Sequence, residues 1–272
     1  MNAAEYEQFT AALLRTLEAD PDVLGLVALG STADPTHRDA WSDHDFWVVT
    51  RPGHQDVLLD DLSWLPSSGQ ILIRARHGHR GYDVLYRDGH LVEFAVFDPA
   101  QATTGTVTVY RVLFDRGGVA DSVARAQEGA RPPAWDEARR AFVFDNFLIL
   151  LRTAVARWQR GERLSARRYL AQFAADALLG LALEHSGHSE HSPATAARER
   201  DPVDPRRRIE RQQPQLAAAV DALLCRPVPE GAAGLLGLAE ATLLPRWADY
   251  PRSRAAAVRA MLADAAAMPP AG

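Results

Sequence analysis

The chain has 272 residues, 47% of them hydrophobic, which suffices for two compact domains with real cores. No apolar run approaches the ~20 residues that a transmembrane helix needs, and the first residues lack the basic and then apolar pattern of a secretion signal. The single cysteine, Cys225, excludes an intrachain disulfide and a thiolate metal cluster. We therefore expect a cytoplasmic protein without a membrane partner.

The charges of the chain exclude two classes of nucleotide-handling protein. All 30 basic residues are arginine, whereas a Walker-type phosphate loop needs a lysine. The formal net charge is −5, and no basic stripe is interleaved with aromatic residues, although binding to a nucleic acid requires clustered positive charge. We expect no nucleic-acid partner, and any triphosphate contact must come from arginine, backbone N–H groups or metal.

The predicted elements change in kind at the middle of the chain. An amphipathic N-terminal helix is followed by strand-like segments at 23–29, 45–50, 71–76, 82–86, 91–97 and about 107–115. Helical spacing then covers 135–161, 165–185 with Ser165 as N-cap, and about 210–225, 231–244 and 249–267, while 186–208 is predicted as a long polar loop. The pattern predicts an α+β chain, with a mixed-sheet domain over 1–130 and an all-helical domain over 131–272.

The most informative segment joins an anion-binding turn to a pair of carboxylates. An apolar strand ends at Gly30-Ser31, where backbone N–H groups and a hydroxyl can contact a phosphate. A second strand begins with Asp43 and Asp45, whose alternation places both carboxylates on one face. Two like charges this close disfavour ionisation of both, whereas Mg²⁺ prefers carboxylate and phosphate oxygens. The combination predicts nucleotidyl transfer.

A third carboxylate is available for a site with two metal ions. Glu93 is an isolated acid within the apolar strand 91–97, and it can complete the metal shell or accept the proton of an attacking hydroxyl. Whether Glu93 acts as the base, as a metal ligand or as both stays open. Turns and strand ends often contain Gly-Ser or Asp-x-Asp on their own, but that explanation does not account for their combination with Glu93.

The motif GS followed by SDHDFWVV resembles the signature of the DNA polymerase β-like nucleotidyltransferase superfamily. Residues 112–170 are similar to the strand, linker and first helices of lincosamide nucleotidyltransferases, and kanamycin and streptomycin nucleotidyltransferases share the plan more distantly. The shared features are Asp115 and Gly118 before a helix, Ala-Arg-Pro at 130–132, Asn146-Phe147 in an apolar helix and Arg-Gly-Glu at 160–162. The chain departs from several of these relatives in having Asp45 where they have Glu, and in lacking a Gly before Ser42.

The resemblance implies transfer of an NMP, with AMP expected, from a nucleoside triphosphate to a hydroxyl of a small molecule, with release of pyrophosphate. Asp43, Asp45 and Glu93 would bind two Mg²⁺ ions, and Gly30, Ser31 and Ser42 would contact the nucleotide. The implied acceptor is a lincosamide or an aminoglycoside antibiotic, and the implied role is antibiotic resistance. The alternatives are an adenylyltransferase that modifies a protein and a non-catalytic nucleotide-binding regulator; a homodimer is left open.

Asp145 and Asn146 are the candidate acceptor-binding residues, and they lie in the most apolar predicted helix. A buried acid is destabilising unless it is paired, so a structural partner for Asp145 is favoured slightly over a substrate contact. Asn146 is assigned from the resemblance. Because that helix has few acids, a weakly charged lincosamide is the first choice of acceptor and a polycationic aminoglycoside the second.

Overall fold

The computed structural model describes residues 1–129, 135–185 and 206–267. The chain divides into two compact units, Met1–Pro132 and Pro133–Gly272. The Ala-Arg-Pro linker and most of the predicted polar loop, residues 186–205, lie outside the described residues.

The first unit is built on a six-stranded mixed sheet. The strands in chain order are β1 (Val23–Leu29), β2 (His44–Thr50), β3 (Ile71–His77), β4 (Gly81–Tyr86), β5 (Leu91–Phe97) and β6 (Tyr110–Asp115). Their order in space is β3-β4-β5-β2-β1-β6; β2 and β5 are parallel and the other neighbours are antiparallel. The predicted α+β class is confirmed, whereas β6 begins at Tyr110 and not near residue 107.

Five α-helices accompany the sheet in the described residues of this unit. They are α1 (Ala3–Ala19), α2 (Gly30–Ala33), α3 (Gln55–Asp60), α4 (Pro99–Ala102) and α5 (Val119–Gly129). Helix α1 begins at a capping box, in which Asn2 accepts the N–H of Glu5 and the Glu5 carboxylate accepts the N–H of Asn2. It buries one stripe of side chains, Tyr6, Phe9, Leu13 and Leu17.

The sheet has a hydrophobic core on each face, and β2 contributes to both. Phe46 and Val48 pack with residues of α1 and α3, whereas Trp47 and Val49 pack with residues of α4 and α5. Such double burial explains why β2 is almost continuously apolar after its first residues. Because side chains alternate along a strand, Asp45 lies on the same face as Trp47.

The described part of the second unit is helical throughout. Its helices are α6 (Glu137–Gln159), α7 (Arg163–Arg168), a π-helical segment (Tyr169–Ala174), α8 (Ala175–His185), α9 (Ile209–Gln212), α10 (Pro214–Leu224), α11 (Val228–Leu243) and α12 (Arg252–Ala267). One core of aliphatic and aromatic side chains joins them. No helix that the structure describes combines the length and the apolar character needed to cross a bilayer.

The prediction that Ser165 is an N-cap is wrong. Gly161 adopts φ +80° directly after α6, a conformation that glycine reaches without strain, and the chain is therefore already turned when it arrives at Glu162. Helix α7 begins at Arg163. Ser165 lies inside this helix, where its hydroxyl accepts a hydrogen bond from the guanidinium of Arg157.

Candidate active site

The turn after β1 contains Gly30 and Ser31, the residues that the sequence predicts to contact a phosphate. Gly30 adopts φ +47°, which favours glycine, and its N–H donates to the carbonyl of Val109 at 3.1 Å. Ser31 is buried, with 5% of its surface exposed, and its Oγ makes no hydrogen bond to the residues that the structure describes. Buried hydroxyls normally have a partner, and the hydroxyl of Tyr6 is a neighbour of Ser31 in this buried setting.

Three carboxylate residues form a row across the sheet. Asp45 on β2 lies opposite Glu93 on β5, and Glu93 lies opposite Asp83 on β4. Directly opposite residues share a face of the sheet, with Cβ atoms about 4.5–5.5 Å apart, and like charges in such pairs are destabilising. The row therefore concentrates carboxylates on one face of the sheet.

Asp43 and Gly30 lie beside this row. Asp43 directly precedes β2 and is half-buried. A Cβ placed on Gly30 would lie 3.9 Å from Oδ2 of Asp45, so the turn at Gly30 and the carboxylate are neighbours. The structure thus brings together Gly30, Asp45 and Glu93 from three separate parts of the chain. Asp43 lies two residues before Asp45 in the sequence.

Asp83 was not among the predicted site residues. The signal for it was the alternation of β4, which is joined to β5 by the Asp-Gly turn at 88–89 and therefore lies next to Glu93. Its carboxylate lies 3.1 Å from Nε2 of His77 on β3, and both side chains are about half-exposed. Asp83 therefore extends the row toward the edge of the sheet, where it already has a partner.

Ser42 takes part in a local turn. Its hydroxyl accepts the backbone N–H of Asp39 at 2.9 Å, and Oδ1 of Asp39 accepts the N–H of Trp41 at 2.8 Å. These bonds order the loop that leads to Asp43. The hydroxyl of Ser42 is therefore engaged within the loop, in contrast to that of Ser31.

On the reverse face of β2, His44 belongs to a buried network. Its ring stacks on Tyr6 with centroids 3.6 Å apart, its Nε2 lies 2.9 Å from Oγ1 of Thr10, and its Nδ1 shares a hydrogen bond of 2.7 Å with Nε2 of His90. Burial and the neighbouring His90 lower the pKa of His44 to about 3. Burial lowers the pKa of His90 to about 4. Both imidazoles are neutral near pH 7, and they brace the strand.

A cavity of about 530 Å³ lies on this reverse side. Its lining includes Gln8 and Phe9 of α1 together with Tyr86 and His90 of the β4–β5 hairpin. None of the acids in the row lines it. The carboxylates therefore belong to the opposite face of the sheet, beside the turn at Gly30.

Among the described residues, the group of three potential metal ligands that lie close to one another is at the other end of β1 and β2, whereas the ligand atoms of Asp43, Asp45 and Glu93 are not grouped as closely. Ligand atoms of Asp20, Asp22 and His54 lie within 4.8 Å of one another. His54 Nε2 lies 2.9 Å from Oδ2 of Asp20, and Nε of Arg51 lies 3.3 Å from Oδ1 of Asp22. Burial would raise the pKa of Asp20, but hydrogen bonds from Asp22 and His54 lower it overall. These acids already have cationic or hydrogen-bonding partners within the group.

In the second unit, the two candidate acceptor-binding residues point to different surroundings. Asp145 on α6 forms an ion pair with Arg254 on α12, so this acid has a structural partner. Asn146 is exposed. It lies between Phe142 and Ile149, which have 71% and 62% of their surfaces exposed, and the spacing of four and three residues puts all three on one side of the helix.

Comparisons with known proteins give only remote likenesses. No family model and no curated protein matches the chain. A crystal structure of an aminoglycoside 6-adenyltransferase from Bacillus subtilis aligns with 12% identity and a TM-score of 0.32, over 95% of this chain and 91% of that chain. A nucleotidyltransferase-like protein from Exiguobacterium sibiricum aligns with 14% identity and a TM-score of 0.33, over 95% and 89%. TM-scores of this size carry no argument about the chemistry of the chain.

Proposed function

We propose that the chain is a Mg²⁺-dependent nucleotidyltransferase that moves an NMP, with AMP expected, from a nucleoside triphosphate to a hydroxyl of a small molecule and releases pyrophosphate. The observation that carries the proposal is the register of Asp45 with Glu93 across β2 and β5. Beside this pair lies a turn whose buried hydroxyl, on Ser31, makes no hydrogen bond within the described chain. Acids and an anion-binding turn side by side suit a metal-bound triphosphate.

The residues fit two Mg²⁺ ions by their chemistry. Asp43, Asp45 and Glu93 offer only oxygen ligands, which Mg²⁺ prefers, and the repulsion between facing carboxylates is relieved when a cation binds. When bound, Mg²⁺ would neutralise negative charge on the triphosphate. Ser31 would contribute its hydroxyl to the phosphates, and Gly30, whose N–H already donates to the carbonyl of Val109, would let the backbone approach them without a side chain. The chain has no lysine that could take this role.

Glu93 has a second role in the proposal. Its carboxylate accepts the proton of the acceptor hydroxyl while that oxygen forms a bond to the α-phosphorus and the bond to pyrophosphate breaks. General-base help of this kind contributes about 10²–10⁴-fold in rate. The register of β2 and β5 places Glu93 directly opposite Asp45, so the proposed base lies next to a proposed metal ligand.

The proposed acceptor is a lincosamide in the first place and an aminoglycoside in the second. Aminoglycosides carry several cationic amines, and their binding needs several free acids. Asp145 is paired with Arg254, and the exposed neighbours of Asn146 are the apolar Phe142 and Ile149. This surface suits a sugar-bearing molecule of low charge. The implied role is antibiotic resistance in the cytoplasm, without a nucleic-acid or membrane partner.

Pyrophosphate release tests the proposal. The purified chain is incubated with Mg²⁺, ATP or GTP, and a panel of lincosamides and aminoglycosides, and each product is weighed by mass spectrometry. The expected result is an antibiotic whose mass has grown by one nucleotidyl group. Binding of ATP without pyrophosphate release would favour a regulator, and labelling of a co-purified protein would favour a protein acceptor; either result would overturn the proposed substrate class.

A further inference from the structure

The first residues of β2 have no pairing partner on β1. The residue pairs between β1 and β2 end at Ala28 opposite Phe46, because Gly30, with φ +47°, turns the chain away from β2. The backbone N–H of Asp45 and the carbonyl of Asp43 lie beyond this last pair. Backbone polar groups inside a protein need hydrogen-bond partners, and here two side-chain hydroxyls take the place of the missing strand.

The two hydroxyls belong to Tyr6 and Thr32. The N–H of Asp45 donates to Oγ1 of Thr32 at 2.9 Å, and the hydroxyl of Tyr6 donates to the carbonyl of Asp43 at 2.6 Å. The two hydroxyl oxygens lie 2.7 Å apart. Each hydroxyl has a single hydrogen. The hydrogen of the Tyr6 hydroxyl is donated to the carbonyl of Asp43, so Thr32 must be the donor to Tyr6. The three hydrogen bonds therefore form a chain in which each donor points from Asp45 toward Asp43.

Packing holds both hydroxyls in place. Tyr6 and Thr32 each have 2% of their surface exposed. The ring of Tyr6 stacks on His44 at 3.6 Å, and the guanidinium carbon of Arg38 lies 4.0 Å from its centroid. Tyr6 also belongs to α1, whose buried stripe packs on the sheet. Neither hydroxyl can move away without disrupting this packing.

We propose that Tyr6 and Thr32 are positioning residues, which together form a hydroxyl clamp that fixes the backbone on both sides of His44. The clamp sets the spacing of Asp43 and Asp45, and it ties both acids to the phosphate turn because Thr32 directly follows Ser31. Helix α1, which lies outside the motif, thereby acts on the site. The inference rests on the proposed function, in which these acids bind Mg²⁺.

Substitutions can remove the two hydroxyls while the packing around them is kept. Tyr6→Phe removes two hydrogen bonds of the clamp and keeps the stacked ring, and Thr32→Val removes the other hydroxyl at nearly constant volume. Thr32→Ser keeps the hydroxyl and is the rescue variant. Tyr86→Phe is the matched control, because Tyr86 is also buried and its hydroxyl also donates to a backbone carbonyl, that of Pro66 at 2.8 Å, away from the acids.

The clamp is tested by titrating Mn²⁺, in place of Mg²⁺, into the full chain with a non-hydrolysable ATP analogue, using calorimetry, with thermal unfolding measured in parallel. Residues that orient metal ligands typically contribute about 10–100-fold to metal affinity. We expect a loss in that range for Tyr6→Phe and Thr32→Val, and affinities within about twofold of the unaltered chain for Thr32→Ser and Tyr86→Phe. In Tyr6→Phe and Thr32→Val, kcat should fall and KM for the acceptor should stay unchanged.

The possible failures are distinguishable. If the unaltered chain bound no Mn²⁺, the proposed function would fall and the clamp with it. If the unaltered chain bound Mn²⁺ and the folded Tyr6→Phe and Thr32→Val proteins bound it equally well, the clamp alone would be overturned. An equal loss in Tyr86→Phe would also overturn it, because the effect would then be one of general stability. Should Tyr6→Phe not fold, Thr32→Val, which leaves α1 unchanged, decides the question.

Discussion

Asp45 and Glu93 lie directly opposite each other on the parallel strands β2 and β5. The next pair in the register is Phe46 and Phe94, whose rings stack with centroids 5.6 Å apart on the other face. The two acids are thus held at short range by an apolar core behind them, and they cannot separate without disturbing that core. The register therefore keeps two carboxylates side by side on one face of the sheet.

Asp45→Asn should abolish pyrophosphate release and leave the fold intact, because the amide keeps the volume of the side chain and loses the anionic ligand. Asp43→Asn should behave in the same way. Asp22→Asn is the control at the other end of β1, and it should keep activity. The measurements are the pyrophosphate assay and thermal unfolding. Near wild-type release by Asp45→Asn, or its loss in Asp22→Asn, would contradict the assigned metal site.

Glu93→Gln should reduce turnover by about 10²–10⁴-fold, the usual contribution of a general base, and should weaken ATP binding much less. Calorimetry with a non-hydrolysable ATP analogue separates the two effects. Asp83→Asn, one strand further along the row, should have a smaller effect on turnover. A large loss of ATP affinity at unchanged turnover would show that Glu93 chiefly binds the nucleotide.

Asp115 should stabilise the chain in a pH-dependent manner. Burial would raise its pKa, but backbone N–H groups, including those of Ala120, Val119 and Gly117, hold the pKa below its usual value. Its contribution is therefore present above the unfolded pKa of about 3.9 and is lost as pH falls through the lower folded pKa. Asp115→Ala should lose about 0.5–2 kcal/mol near neutral pH, as at other helix caps.

Urea unfolding of the wild type and Asp115→Ala, at neutral pH and at steps below about pH 3.9, measures this prediction. The stability difference between the two proteins should shrink as the pH falls. A difference that stayed constant would mean that Asp115 acts through packing and not through its charge.

Asp145 and Arg254 should be coupled energetically, since they form an ion pair with half-exposed side chains. A double-mutant cycle with Asp145→Asn and Arg254→Gln should give about 0.2–1 kcal/mol, the range of exposed pairs. Acceptor affinity should change little in Asp145→Asn and fall in Asn146→Ala. The opposite ranking, with Asp145→Asn losing the acceptor, would restore this acid as a substrate contact.

The sequence predicts the strands well because these depend on local pattern. In β2, hydrophobic residues continue from Phe46 through Val49 and Asp45 stands out near its start, whereas Asp43, which was predicted to begin the strand, lies just before it. Local pattern alone could not predict that Asp83 joins the row of acids, because its place there depends on the register between β4 and β5. Tyr6 could not be linked to Thr32 from sequence, because the contact joins residues separated by 26 positions and depends on how α1 packs.

The neutral pair of His44 and His90 has a consequence for how this sequence can vary. Each ring supplies a hydrogen-bond partner for the other in a buried setting. Replacing one ring by an aliphatic side chain would leave a polar nitrogen of the other buried without that partner, which typically costs about 1–3 kcal/mol. Replacing both by apolar groups of similar shape can be nearly neutral. The two positions should therefore change together among related chains, although they are 46 residues apart.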